Sequence, residues 1–239
     1  TVYLTVPSSA TQEASVGVRA GARLVLDVTS SGTGRSRRMV PLFVLVASLA
    51  LVVFLAAPWP LSLKARALLH GLCAQRPSHS FSLGGTLLPF DARMTGIYGG
   101  FATTALWLVL RGRLRAWMLP ARSIVGVLAL FVAALAIDGT NALLVDIGID
   151  PLYQPDNRLR LATGLLTGVS LAVGVCVVLA STLWRHGDPK LSPVRSFAEL
   201  GLLVALQIPI WLAVTSGLGL LYAPMAVALV AAAVVVVSS

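Results

Sequence analysis

Apolar residues in this chain come in long blocks. "MVPLFVLVASLALVVFLAAPW" (39–59) holds no charged residue, and a helix needs roughly 20 such residues to cross a bilayer. Further blocks at 94–110, 121–144, 161–184, 197–218 and 221–237 bring the predicted spans to six. "GLGLLYAP" (217–224) leaves little room for a turn between the last two. A spanning segment in hydrocarbon must satisfy its own backbone, so the pattern predicts an all-α, polytopic membrane bundle occupying 39–239. Ahead of it, "TVYLTV" and "RLVLDV" alternate apolar and polar positions. They read either as two strands of a small β-hairpin or, with the Ser/Gly-rich text between them, as a flexible tail. The start of 1–38 is too polar for a signal peptide.

Composition agrees with the pattern. Of 239 residues, 57% are hydrophobic and 11% charged, where soluble domains carry about a quarter. A water-soluble globule is excluded. The formal charge of +9 changes the picture only through its placement. Arg35, Arg37 and Arg38 precede the first block. Arg111, Arg113, Arg115 and Arg122 separate the second and third, and Arg185, Lys190 and Arg195 the fourth and fifth. All three clusters fall on one side, which the positive-inside tendency makes cytoplasmic, together with the N-terminus. Connection 138–160 carries Asp146, Asp150 and Asp156 and faces outward; so does 60–93, against the pull of Lys64, Arg66, Arg76 and Arg93. No basic stripe with interleaved aromatics is present, so nucleic acid is not an expected partner.

The polar chemistry collects in those two outward connections. In "HGLCAQRPSH", His70, Cys73 and His79 are weak candidate metal ligands, without the spacing of a zinc finger; no metal or cofactor is expected. Cys176 lies in an apolar block and reads as a buried thiol, and two cysteines build no disulfide framework. In "DARMTGIYGGF", Asp91 is placed to cap the second span. Gly96 and Gly100 form a G-x-x-x-G pair that Gly164 and Gly168 echo in the fourth, predicting close packing of the two. Asp138 stands inside an apolar stretch with Asn141 on the same helical face. Arg93, Arg158 and Arg160 are its candidate cations, and Arg93 is predicted as its neighbour, directly or through Asn141 or Tyr98. Asp156 or Asn157 can cap the fourth span, where Arg158 and Arg160 snorkel and could bind a lipid phosphate. Gln207 beside Pro209 could satisfy backbone freed by the proline.

"CAQRPSHSF" and "DARMTGIYGGF", followed by "DG" (138–139) and "NRLRLATG" (157–164), resemble the core of a family of predicted bacterial and archaeal membrane proteins, domain of unknown function 2085. The resemblance covers about residues 65–175 and matches Cys73, Gln75, Arg93, Thr95, Gly96, Tyr98, Asp138, Asn157 and Arg160. Asp91 and Met94 stand where that family commonly has cysteines, and Ala74 where it has histidine. The thiolate metal site or disulfide that relatives could build is therefore not expected here. The resemblance implies a bacterial plasma-membrane protein and carries no activity with it.

A polar site is thus expected at the outer mouth of the bundle, drawn from Cys73, Gln75, Arg76, His79, Asp91, Arg93, Tyr98, Asp138, Asn141, Asn157, Arg158 and Arg160. No nucleophile elbow, phosphate loop or zinc-protease pair accompanies it. The leading function is a binding or accessory membrane subunit that recognises a lipid head group or a membrane partner. Expected partners are membrane lipids and other membrane-protein subunits. A solute or ion transporter using Asp138 is the first alternative, and a membrane enzyme on a lipid-linked substrate, with Asp91 or Asp138 as acid/base, the second.

Overall fold

Two units divide the chain, Thr1–Pro58 and Trp59–Ser239. The structure, a computed structural model, describes residues 56, 58–73, 75–116, 118–183 and 191–238, nearly all of them in the second unit. The strands expected within 1–38, and all but the end of the span expected at 39–59, lie outside the described residues.

The helices are α1 (Leu61–Leu69), α2 (Ala92–Leu110), α3 (Arg122–Asp146), α4 (Asn157–Leu183), α5 (Phe197–Ala205), α6 (Gln207–Thr215) and α7 (Tyr222–Ser238). Four helical stretches among the described residues are long and apolar enough to cross a membrane: Arg122–Asp146, Asn157–Ser181, Phe197–Thr215 and Gly219–Ser238. This corrects the six predicted spans. The stretch at 94–110 is helical, as α2, but it carries Arg93, three glycines and three threonines, which leave it less apolar than the four. Its small and polar residues are interior: Thr95, Gly96, Gly99, Gly100 and Thr104 are all buried. The last two spans are separate helices, broken by Ser216–Leu218 and a 3-10 turn at Gly219–Leu221.

Glycine sets how closely α2 and α4 approach. A Cβ on Gly96 would fall on Leu161 O, one on Gly100 on Leu165 O, one on Gly164 on Arg93 O and one on Gly168 on Ile97 O. Backbone therefore touches backbone along a seam that any side chain would open. Because Gly96 meets Gly164 and Gly100 meets Gly168, the two helices run parallel. α3 runs antiparallel to α4, with Thr167 Oγ1 donating to Phe131 O (3.2 Å) and Ser170 Oγ to Leu128 O (3.0 Å). The α4 span is half buried, whereas the other three candidate spans are 17–22% buried, so α4 is the hub.

The α5–α6 pair returns along α2. It breaks at Leu206 so that Pro209 falls in the first turn of α6, where its missing N–H costs least. Gln207 Nε2 donates to Leu203 O at that break (2.9 Å), and Thr103 Oγ1 donates to Gln207 Oε1 (2.9 Å).

The starts of α2 and α4 and the ends of α3 and α6 thus meet at one end of the bundle, the mouth. Connection 60–91 covers it. Within that connection lies α1, which the hydropathy pattern does not announce, and an antiparallel hairpin, Ser82–Leu83 with Thr86–Leu87. Gly84 and Gly85 turn the hairpin with φ of 57° and 78°, the left-handed values a two-residue turn demands. Gly84 N donates to Gly217 O (2.8 Å), docking the hairpin before α7. The opposite end gathers residues 111–121 and 191–196, stitched by Met118 N donating to Leu191 O (3.1 Å).

Candidate functional site at the bundle mouth

Asp138 lies two turns inside α3, eight residues or about 12 Å before the helix ends, and is 1% exposed. Its partner is Arg93, in the first turn of α2. Arg93 Nη2 donates to Asp138 Oδ2 at 2.6 Å and Nε to the same oxygen at 3.3 Å. Oδ1 takes a third bond, from the hydroxyl of Tyr153 at 3.0 Å. Both oxygens of this carboxylate are therefore engaged within the protein.

Tyr153 belongs to the connection after α3, and Asn141 holds that connection in place. Its Nδ2 donates to Tyr153 O (2.8 Å), and its Oδ1 accepts from Leu152 N (2.7 Å). Asn141 thus positions the tyrosine instead of bridging Asp138 to Arg93. Burial first, and then the bond to Asp138, push the Tyr153 phenol above its ordinary range, so it stays a donor at physiological pH. Sequence patterning does not single out Tyr153, one aromatic residue among loop prolines and aspartates.

Above the ion pair opens a polar cavity of about 210 Å³, lined by His79, Asp91, Arg93, Gly139, Ala142, Leu143, Asp146 and Arg160. The chain has already engaged two of its carboxylates. Asp91 caps α2, accepting from Met94 N at 2.8 Å, and Asp146 pairs with Arg76 at 3.0 Å across an exposed surface. Arg160 differs. It is 7% exposed, its Nη1 donates to Asn157 Oδ1 (2.9 Å), and its buried Nε has no hydrogen-bond partner among the described residues. No carboxylate among them pairs with it in a salt bridge. His79 is pushed below the ordinary imidazole range, first by burial and then by the Arg160 guanidinium. A neutral imidazole and a guanidinium without a carboxylate therefore share the cavity wall.

Several expected members sit elsewhere. Tyr98, five residues from Arg93, points to another face of α2 and stacks on Phe90 with centroids 4.7 Å apart, inside the apolar core. It does not join Asp138 to Arg93. Arg158 and Arg160 do not snorkel as a pair: two residues apart on a helix they point about 200° from each other, and Arg158 is exposed while Arg160 turns inward. Asn157 donates to Ser78 O (3.0 Å) and ties the start of α4 to the covering connection. Gln75, at φ 49°, donates from Nε2 to Arg66 O (3.0 Å). Cys73 is buried, and its Sγ accepts from Gln75 N and Asp91 N, both at 3.4 Å. Burial pushes its thiol above the ordinary range, which makes it a turn-closing residue and a poor nucleophile. His70 is exposed. Among the described residues no three His, Cys, Asp or Glu side chains gather as a metal site; His70, Cys73 and His79 do not converge.

The model of a family described as predicted membrane protein, DUF2085, matches residues 73–174, the stretch that builds the mouth and the α2–α4 seam. The chain matches no curated protein and no solved structure.

Proposed function

We propose that this protein is a non-catalytic binding or accessory subunit of the bacterial plasma membrane, whose extracytoplasmic mouth pocket recognises an anionic head group. One observation carries the reading: Arg160 is buried and without a carboxylate partner among the described residues, yet lines the cavity. A buried charge is expensive unless paired, and an anion in the cavity supplies the missing partner. A guanidinium suits a phosphate oxygen well, because its planar donors match that geometry. Transport by Asp138 is disfavoured by its engagement with Arg93 and Tyr153, which leaves it no free oxygen to carry a proton or cation. Asp91, the other candidate acid/base, is spent on a helix cap.

The test uses the purified full chain in detergent. Short-chain phosphatidylglycerol should raise the unfolding temperature, since a ligand of the native state stabilises it by mass action. Two variants should abolish that rise. Arg160→Gln removes the cation, and Gly139→Val fills the cavity without touching a charge, because a Cβ at Gly139 meets nothing within 4 Å among the described residues. An undiminished rise in both variants sinks the proposal. Orientation is tested separately, since buried Cys73 is no reporter. A cysteine replacing Leu152 at the mouth, where the native residue is 80% exposed, should react with an impermeant thiol reagent from outside. One replacing Leu119 should not, and the reverse pattern would invert the topology.

A further inference from the structure

Below the mouth pocket, on the same helix faces, lies an apolar groove of about 610 Å³ walled by Ile97, Val132, Thr167, Leu171, Gly174 and Val178 among others. The register is what connects the two. On α2, Ile97 is one turn below Arg93; on α3, Val132 is two turns below Gly139. On α4, Thr167, Gly174 and Val178 follow Arg160 at steps of 7, 14 and 18 residues, which return to one helical stripe. The groove begins about 10 Å deeper than Arg160, at seven residues of 1.5 Å rise. Among the described residues its only polar side chains are Thr167 and Ser170, whose hydroxyls donate to α3 carbonyls and are spent internally. What remains is an apolar wall under a cationic lip.

We infer that the ligand is an anionic phospholipid, with its phosphodiester against Arg160 in the mouth pocket and one acyl chain along the α4 groove below. The inference rests on the head-group reading and adds the chain. A free anion would leave the groove unused, and a neutral lipid would leave Arg160 unpaired; one amphiphile satisfies both. Gly174 lies partway along the groove, about 10 Å deeper than Thr167. Its position on the exposed face of α4 has nothing among the described residues within 4 Å of where a Cβ would stand, so the backbone itself forms the floor of the groove.

Native mass spectrometry of the full chain, titrated with long-chain and with dihexanoyl phosphatidylglycerol, separates head group from chain. Wild type should bind the long-chain lipid about tenfold more tightly than the dihexanoyl form, whose chains are too short to use the groove. Gly174→Leu, which fills the groove and removes no polar group, should bring the long-chain affinity down to the dihexanoyl value and leave the latter unchanged. Arg160→Gln should weaken both lipids together. If Arg160→Gln weakens both but Gly174→Leu changes neither, the acyl chain is not in the groove and this inference falls alone. If Arg160→Gln changes neither, the head-group reading falls with it. Equal wild-type affinity for the two chain lengths overturns the inference. So does a Gly174→Leu protein that melts at lower temperature with lipid binding intact, because another apolar segment then fills the groove.

Discussion

Each end of the bundle pairs an arginine with a carboxylate at 2.6 Å, and the two pairs are built to different ends. At the end opposite the mouth, Arg113 meets Glu199 with two parallel bonds (2.6 and 2.7 Å), donates again to Pro193 O (2.9 Å), and lies over the Trp107 ring at 5.2 Å. Glu199 in turn accepts from Arg195 N (2.8 Å). Both oxygens of Glu199 and both terminal nitrogens of Arg113 are engaged, and the pair locks the turn after α2 to the start of α5. At the mouth, Arg93 reaches one oxygen of Asp138, Tyr153 takes the other, and Arg93 also lines a cavity whose remaining cation, Arg160, has no acid among the described residues. Two similar contacts thus differ in what surrounds them. A closed network is a latch; an open one beside an unspent charge is the wall of a site.

The largest expected effect breaks the latch. Glu199→Gln leaves the Arg113 guanidinium buried without its carboxylate, which costs on the order of 3–5 kcal/mol, read as a lowered denaturant midpoint in detergent. Lipid binding per folded molecule should not move. If Glu199→Gln weakens phosphatidylglycerol as strongly as Arg160→Gln does, the two ends are coupled and the far pair is more than a latch.

Next comes the mouth pair. Asp138→Asn should destabilise by about 3 kcal/mol, toward the lower end of the same range, because the Arg93 side chain is 26% exposed and can turn to water. Adding Arg93→Gln should recover part of the loss, since two neutral amides in contact need no counter-charge. A double-mutant cycle checks it. A double variant as unstable as the sum of the singles would mean that the pair carries no coupling.

That pair was legible in the sequence because a carboxylate inside an apolar block has few places to find a cation, and Arg93 begins the neighbouring block at the same depth. The glycine seam was legible too: Gly96, Gly100, Gly164 and Gly168 repeat at the spacing that puts them on one face. What stayed hidden depends on contacts that no period encodes. Arg158 and Arg160 are alike in one dimension, and only the packing of α4 against α2 decides which turns inward. The hairpin at 82–87 did have a local signal, Gly-Gly between "SL" and "TL", but a connection expected to be a loop concealed it. The apolarity that predicts a span also misjudged α2, whose Gly96 and Gly100 approach the α4 backbone and whose Thr103 bonds to Gln207 of α6.

Tyr153→Phe tests whether the mouth pair owes its open geometry to the connection after α3. A hydrogen bond to a charged group contributes about 1.5–3 kcal/mol. Oδ2 keeps both of its bonds from Arg93, so the loss should lie near the lower figure. Head-group affinity should fall only slightly, because the tyrosine orients Asp138 and touches no ligand. A tenfold fall in affinity with unchanged stability would move Tyr153 into the binding site itself.

The smallest effect is one that only the mouth can show, because among the described residues the histidines lie on its side of the bundle alone. Burial and the Arg160 guanidinium, with a lesser push from Arg76, hold His79 below its ordinary value of 6.5, against the opposing pull of Asp146 and Asp91. It is therefore neutral at pH 7 and adds no charge to the cavity. A bound phosphodiester, itself fully ionised from about pH 5 to 8, favours the imidazolium. Proton and anion then bind cooperatively, so affinity should rise as pH falls below about 6.5 and level off once His79 is protonated in both free and bound protein. An ion pair at such a half-open position is worth roughly 0.2–1 kcal/mol, at most about a fivefold gain in affinity. Titration of wild type with dihexanoyl phosphatidylglycerol at about pH 5.5 and 7.5, on either side of the ordinary imidazole value, should show that gain, and His79→Gln should give the same affinity at both. A pH dependence that persists in His79→Gln would place the titrating group elsewhere in the protein. Affinity that falls on acidification would contradict an imidazolium beside the bound anion.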